Sequence, residues 1–556
     1  MKKLAITGLL VLCTGITFAQ KQGNESWEEE NLELEDTKVV IEKEKELELP
    51  LANRPFNKIP PQPVSQEGVE DLQYEVQRIP FQGKILEPRV RVLKIKEESP
   101  VEPYRNHVKG GLGNYATAYF EGFFNSKRHP DYQLGARVRH LSSGRGPVDR
   151  NNSATASSGV GLEGKFFTRE AVFDGTAAYS RDRHYFYGYD PALEIEDRDS
   201  IRQVFNFYEV SAGIGRNQPD SRFTYNGRVG FSMLDNQYDA RENSFNFNLH
   251  TAYEINDEVD AMLDSDLWLS DKEDVGDISR YLFRLSPVVK FKVQDALFVH
   301  AGFKAVYEND TIENADQLHL FPNLQATYYL TPDFIAYAGI GGDVEKRTLR
   351  SLTNENPWVK QGLPVFHTIN TFDLSAGVRG KLLNRVGFHT GFSLGAYKNP
   401  GFFVNSEEDS TRFDLVYETD NMTRFNYFGE VTYSAGETFR TTLRGDYYAY
   451  SVDNLGEAWH RPTYRFNWLG RYNLFEKIIF QADLNLLGGI NTLNLANETR
   501  EELDPIADLS FRTEYIFSDQ ATAFIRLNNI IGGEYERYRN YPVRGFQVML
   551  GASYSF

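Results

Sequence analysis

The chain has 556 residues, a formal net charge of −18, 40 phenylalanines, 32 tyrosines and a single cysteine. Such an acidic balance argues against nucleic acid as a partner, because a polyanion is met by a basic surface. The cysteine, Cys13, falls in a leader that processing is expected to remove, which excludes a disulfide scaffold, a thiol nucleophile and a cysteine-based metal site.

Residues 1–19 read as a secretory signal peptide: Lys2 and Lys3 are basic, Leu4 to Ile16 is apolar, and Thr17-Phe18-Ala19 is a small-x-small cleavage site. A lipoprotein reading of Cys13 fails because Leu12 precedes it, where a small residue is needed. Residues 20–105 form an acidic and Pro-rich arm. From Lys21 to Pro50 there are eleven acidic residues against four lysines, a composition that stays solvated, and Pro55, Pro60, Pro61 and Pro63 follow. The arm is expected in the periplasm or packed into a lumen.

From residue 106 to 556 the chain is a series of alternating segments. In Pro505 to Phe517, Leu509, Phe511, Tyr515 and Phe517 share one face, while Asp508, Ser510, Arg512 and Glu514 share the other. Phe439 to Tyr450 and Thr371 to Lys381 repeat the pattern. Period two over ten or more residues is a strand, and this length matches a tilted membrane span rather than a globular strand. A mean hydropathy of −0.49 does not oppose that reading, since lipid-facing and lumen-facing residues cancel in the average. Tight turns such as Thr168-Arg169-Glu170, Thr331-Pro332-Asp333 and Phe475-Glu476-Lys477 alternate with longer polar loops near 142–151, 188–202, 308–319, 356–368, 405–411, 453–462 and 490–504. Short turns on one side and long loops on the other are the outer-membrane arrangement, periplasmic and extracellular respectively.

The expected fold is therefore all-β, a transmembrane antiparallel β-barrel of about 20–22 strands with an extended N-terminal periplasmic arm, in the outer membrane of a Gram-negative cell. Counting back from Phe556 gives 21 segments, the earliest being His107 to Phe124, whereas two periplasmic termini require an even number. Either Arg89 to Lys96 supplies a first strand and makes 22, which is preferred, or a segment is divided wrongly and the number is 20. The last segment places Phe546, Val548, Leu550, Tyr554 and Phe556 on one face, a C-terminal assembly signal.

The tail Leu527-Asn528-Asn529-Ile530-Ile531-Gly532-Gly533-Glu534-Tyr535, with Asn540-Tyr541-Pro542, Gly545 and Gly551 to Phe556, resembles the last hairpin of TonB-dependent receptors. Gly111-Leu112-Gly113-Asn114-Tyr115 and Arg139 to Gly144 resemble a plugless, receptor-type barrel group of the Bacteroidetes. The resemblance implies solute passage or uptake across the outer membrane. It departs from the family at the plug, which needs well over a hundred residues where this sequence offers 20–105. Val39-Val40-Ile41 is a weak stand-in for the TonB-contacting box, so TonB is left open as a partner. The expected partners are outer-membrane lipids, the barrel-assembly machinery and a surface lipoprotein or periplasmic protein met through residues 20–105. The alternative reading is a structural scaffold barrel that docks such a partner.

Asp373, Arg379, Lys381, Arg440, Arg444, Asp446, Asp483, Asp508, Arg512 and Glu514 are the lumen-facing charges, either selecting solutes or pairing across strands. No catalytic, cofactor or metal constellation is expected. His140 with Ser142 and Ser143 is the best nucleophile-and-base candidate, and it needs geometry to support it. The tripeptides Asp199-Ser200-Ile201, Asp310-Thr311-Ile312 and Asp409-Ser410-Thr411 look like O-glycosylation sequons, with Ser200, Thr311 and Ser410 as acceptors.

Overall fold

The computed structural model describes residues 104–127, 129–218, 221–309, 318–383, 385–495 and 497–556. Among these, 22 strands form one antiparallel sheet that closes on itself. Closure follows from the first strand, Asn106–Gly113, which pairs on one side with Thr117–Asn125 and on the other with the last strand, Gln547–Ser555. The backbone N–H of Asn106 donates to the Phe556 carbonyl at 3.0 Å, and the Phe556 N–H donates back at 2.9 Å. With no open edge, every strand finds its hydrogen bonds within the sheet, as a lipid environment demands.

The segment His107 to Phe124 is two strands rather than one. Its chain reverses at Asn114-Tyr115-Ala116, where Tyr115 (φ 56°) and Ala116 (φ 53°) both take the left-handed conformation. Such a turn normally announces itself with Gly or Asn-Gly, and here neither central position is glycine. The split supplies the missing strand and restores the even number. Arg89 to Lys96, the strand first preferred for that purpose, lies outside the described residues and is not needed to close the ring.

Strands run from 8 residues at the seam (Asn106–Gly113) to 18 at Asp277–Gln294. Leu134, Leu162, Val210, Leu320 and Leu550 are exposed on the outer face, the surface that lipid covers in the membrane. Above them the outer face turns polar. His140 holds Ser158 and Ser142 (2.8 and 3.1 Å), and Asn206 bridges Tyr179 and Asp235 (3.1 and 2.9 Å). The long strands therefore rise past the apolar band on the side of the long loops. On the last strand Phe546, Leu550, Tyr554 and Phe556 are exposed, Val548 is half-buried, and Met549 and Ser553 are buried on the opposite face.

The long connections are not the polar loops that the sequence suggested. They carry short strands of their own, Gly401–Asn405 with Phe413–Tyr417 and Ile490–Asn494 with Thr499–Leu503, and a capped two-turn helix, Leu349–Glu355. Together they build a buried apolar core.

Candidate functional site

Two features face the space inside the ring: a charged wall and the loop core above it. On the wall, alternation turns each charge away from an exposed apolar neighbour. Arg444 bonds Asp446 at 2.9 Å and reaches Glu430 at 3.5 Å. Arg512 pairs with Glu514, which Lys109 meets from the first strand at 3.3 Å. Asp483 accepts from the Asn485 amide at 2.6 Å, and Asp508 accepts from the Tyr535 hydroxyl at 2.9 Å. Asp373 stands on the face opposite Phe372, which is exposed. Arg379 has His389 as its register partner, and Arg440 has Arg471. Lys381 and Arg440 are exposed near the ends of their strands at the short-turn side.

The loop core gathers residues from five connections: 144–154, 186–201, 346–367, 399–420 and 529–546. Tyr187 leaves the ring between its fifth and sixth strands, Trp358 between the thirteenth and fourteenth, Phe413 between the fifteenth and sixteenth, and Tyr541 between the last two. Side chains from widely separated points of the rim therefore meet. Trp358 stacks on Tyr541 with ring centroids 4.0 Å apart, and Tyr187 meets Tyr541 edge-on at 4.8 Å. Each such pair contributes about 0.5–1.5 kcal/mol beyond the area it buries.

Their polar tips are all satisfied, as burial requires. The Trp358 indole N–H donates to the Tyr185 carbonyl at 3.0 Å, the Tyr538 hydroxyl to the Glu355 carbonyl at 2.8 Å, and the Tyr541 hydroxyl to the Thr411 carbonyl.

Charges are buried here too. Glu355 ends the helix Leu349–Glu355, where the helix dipole disfavours a carboxylate. Arg461 offsets this with an ion pair at 2.7 Å, and Arg347 approaches at 3.8 Å. His460 packs edge-on against Phe413 and lies beside Tyr538. Its Nδ1 lies 2.7 Å from the Phe403 carbonyl, which can only accept, so Nδ1 carries the proton. Burial pushes its pKa down to about 3, and the bond to Phe403 opposes that only in part. His367 is likewise held well below the ordinary range, first by burial and then by Arg280. Its Nδ1 accepts from Arg280 and from the Arg347 N–H, both at 3.0 Å. Burial raises the Tyr189 hydroxyl to about 12. These are groups locked in their neutral forms, suited to fixing loops rather than to proton transfer.

The remaining sequence candidates separate. His140 touches Ser142 but not Ser143, which faces the other way and bonds Thr117 at 3.0 Å. Both ring nitrogens of His140 lie on hydroxyls, and no carboxylate orients it among the described residues. Ser200 is exposed in its loop, with its hydroxyl on the Asp197 carbonyl, while Ser410 is half-buried and its carbonyl accepts from Asn405. Thr311 and Val39-Val40-Ile41 lie outside the described residues.

No protein-family model matches the chain, and no curated protein does. Solved structures do. The ferripyoverdine receptor of the Pseudomonas aeruginosa outer membrane, bound to ferripyoverdine, superposes with a TM-score of 0.62 at 12% identity, covering 83% of this chain and 72% of its own. The chain has the fold of such receptor barrels. The FrpB iron transporter from Neisseria meningitidis gives 0.64 at 7% identity over 82% of each chain. The siderophore receptor PirA from Acinetobacter baumannii gives 0.64 at 10%, covering 83% of this chain and 81% of its own. With identities this low the likeness is one of fold, a closed antiparallel barrel.

Proposed function

We propose that this receptor-type barrel serves the passage or uptake of a solute across the outer membrane, without a plug of the family's size, and that the loop core gates its mouth. The observation that carries the reading is the contact of Trp358, Tyr187 and Phe413 with Tyr541, from distant points of the rim, over a charged interior. Support comes from the neighbours: they are a ferripyoverdine receptor, a siderophore receptor and an iron transporter, and they superpose on a share of this chain close to that of residues 104–556. Ion pairs such as Arg444–Asp446 line the wall that a solute would pass. In this reading Phe546, Val548, Leu550, Tyr554 and Phe556 address the barrel-assembly machinery and then face lipid.

A second reading has its own observation. Loops tied by a buried Glu355–Arg461 pair and by stacked aromatics suit a scaffold that docks a surface lipoprotein or, through residues 20–105, a periplasmic protein. Planar-bilayer recording of the full chain separates the two. Discrete conductance steps support passage. A silent barrel, silent also when Trp358→Ala loosens the core, overturns passage and leaves the scaffold.

A further inference from the structure

Charge on the lumen wall is sorted by side. Counting strands around the ring, Glu163, Glu209 and Glu254 stand on the fourth, sixth and eighth, pointing inward: Glu209 and Glu254 lie between exposed apolar or aromatic neighbours, and Glu163 follows exposed Leu162. Lys381, Arg440 and Arg471 stand inward on the fourteenth, seventeenth and eighteenth. All six are exposed, at or below the middle of their strands, and none has an ion-pair partner among the described residues. In a ring of 22 strands the sixth and seventeenth are diametrically opposite, so the strands that carry Glu209 and Arg440 stand on opposite sides of the lumen.

Other inward charges keep this sign. On the strands between Thr155 and Glu273 acids outnumber bases. Asp174 is held by Arg228 at 2.5 Å and Asp264 by His250 at 2.6 Å. Lys165, the exposed base on that wall, has Asp174 as its register partner. On the strands between Thr368 and Leu474 the balance reverses, with Arg379, Arg424, Arg444 and Arg465 added to the three exposed bases against Asp373, Glu430 and Asp446. Cross-strand pairing alone does not require this sorting, and it leaves Arg440 directly opposite Arg471 in the register, an unfavourable like-charge placement.

We propose that the lumen carries a transverse field that favours dipolar solutes, zwitterions with a separated ammonium and carboxylate such as short peptides, over ions of either sign and over uncharged solutes of similar size. The inference rests on the passage reading above. A low-dielectric wall focuses such fields. A zwitterion turns its ammonium to the Glu209 side and its carboxylate to the Arg440 side, whereas an anion gains at one wall and loses at the other. Salt shortens the reach of both walls, with a Debye length of about 8 Å at physiological ionic strength.

The test uses the full chain in liposomes and planar bilayers. Swelling rates are compared for triglycine, for N-acetyl-triglycine, which lacks the ammonium, and for an uncharged sugar of similar size. The expected result is that triglycine enters several-fold faster than either at low salt, that the advantage shrinks at high salt, and that the reversal potential in a KCl gradient lies near zero. In the variant E163Q/E209Q/E254Q the basic wall is left unbalanced, so the reversal potential shifts toward chloride and the triglycine advantage disappears. Entry of all three solutes at equal rates, faster entry of the acetylated peptide, or an unchanged reversal potential in the variant overturns the inference alone. Exclusion of all three with no conductance, in the parent and in Trp358→Ala alike, overturns the passage reading and the inference together.

Discussion

Trp358 lies flat against Tyr541, with ring centroids 4.0 Å apart and planes 26° apart, although the two residues leave the ring at different points of its rim. Tyr541 is 1% exposed and Trp358 is half-buried, so the indole packs against the loop core from its side. Trp358 is half-buried, so Trp358→Ala is expected to cost less than the roughly 3–5 kcal/mol typical of a fully buried large aromatic. The cost should be local. Hydrogen exchange is expected to rise across 346–367 and 529–546, while the barrel keeps its folded mobility on an unheated gel. Unchanged exchange in these loops would show that the stack does not hold them.

The loop core should weaken in acid. His460 has a folded pKa of about 3, below the ordinary 6.5 of an unfolded chain, and His367 is lowered as well. Because the unfolded or opened loops bind more protons, the stability these groups contribute is complete above about pH 6.5 and drains away as pH falls toward 3. Tryptophan fluorescence followed from pH 7.5 to 3.5 should report opening in that window, and H460Q should flatten the response. An identical acid transition in H460Q would assign it elsewhere.

Strands and turns were legible because period two survives in almost every segment, and Tyr515, Tyr447 and Phe372 mark the outer face without any coordinates. The fusion of Asn106–Gly113 with Thr117–Asn125 shows where that signal fails. Tyr115 and Ala116 adopt positive φ with no glycine to declare it, so the sequence reads as one unbroken segment. The loop core was missed for a related reason. Trp358, Phe403, Phe413, Tyr538 and Tyr541 follow neither a helical nor a strand period, and they fill a space that only the closed ring brings together. Four of the five connections hold aromatics, and these were the available sign, since solvated loops have no use for them.

Barrel closure depends on close backbone approach at the seam. A Cβ on Gly551 would lie 2.2 Å from the Gly110 carbonyl and 2.3 Å from the Phe524 ring. Gly551→Val should therefore prevent the last strand from pairing with Asn106–Gly113, and the heat-modifiable folded band should be lost. Gly429, which has open space around it, makes the control, and Gly429→Ala should fold as the parent does.

Leu550 points outward and is 58% exposed. If lipid covers that face, Leu550→Lys costs up to about 2–4 kcal/mol, depending on its depth, whereas Met549→Lys, on the buried inner face, should fail by crowding Gly111 and Phe524 instead. Denaturant unfolding in lipid vesicles measures the first. No loss of stability for Leu550→Lys would place the residue outside the bilayer.

Ser200 is exposed beside Asp199, and the tripeptide reading predicts a glycan there in the native protein. Intact-mass spectrometry should show added sugar that Ser200→Ala reduces. A native mass equal to the processed polypeptide removes that reading for Ser410 and Thr311 as well.

The account turns on a conducting barrel whose mouth is held by aromatics from opposite sides of its rim. The most direct measurement is the single-channel open probability of the parent chain beside the double variant W358A/Y541A, in the same bilayer and salt. The account predicts brief, infrequent openings in the parent and long, steady ones of the same or larger size in the variant. Identical open probability in the two chains would contradict it.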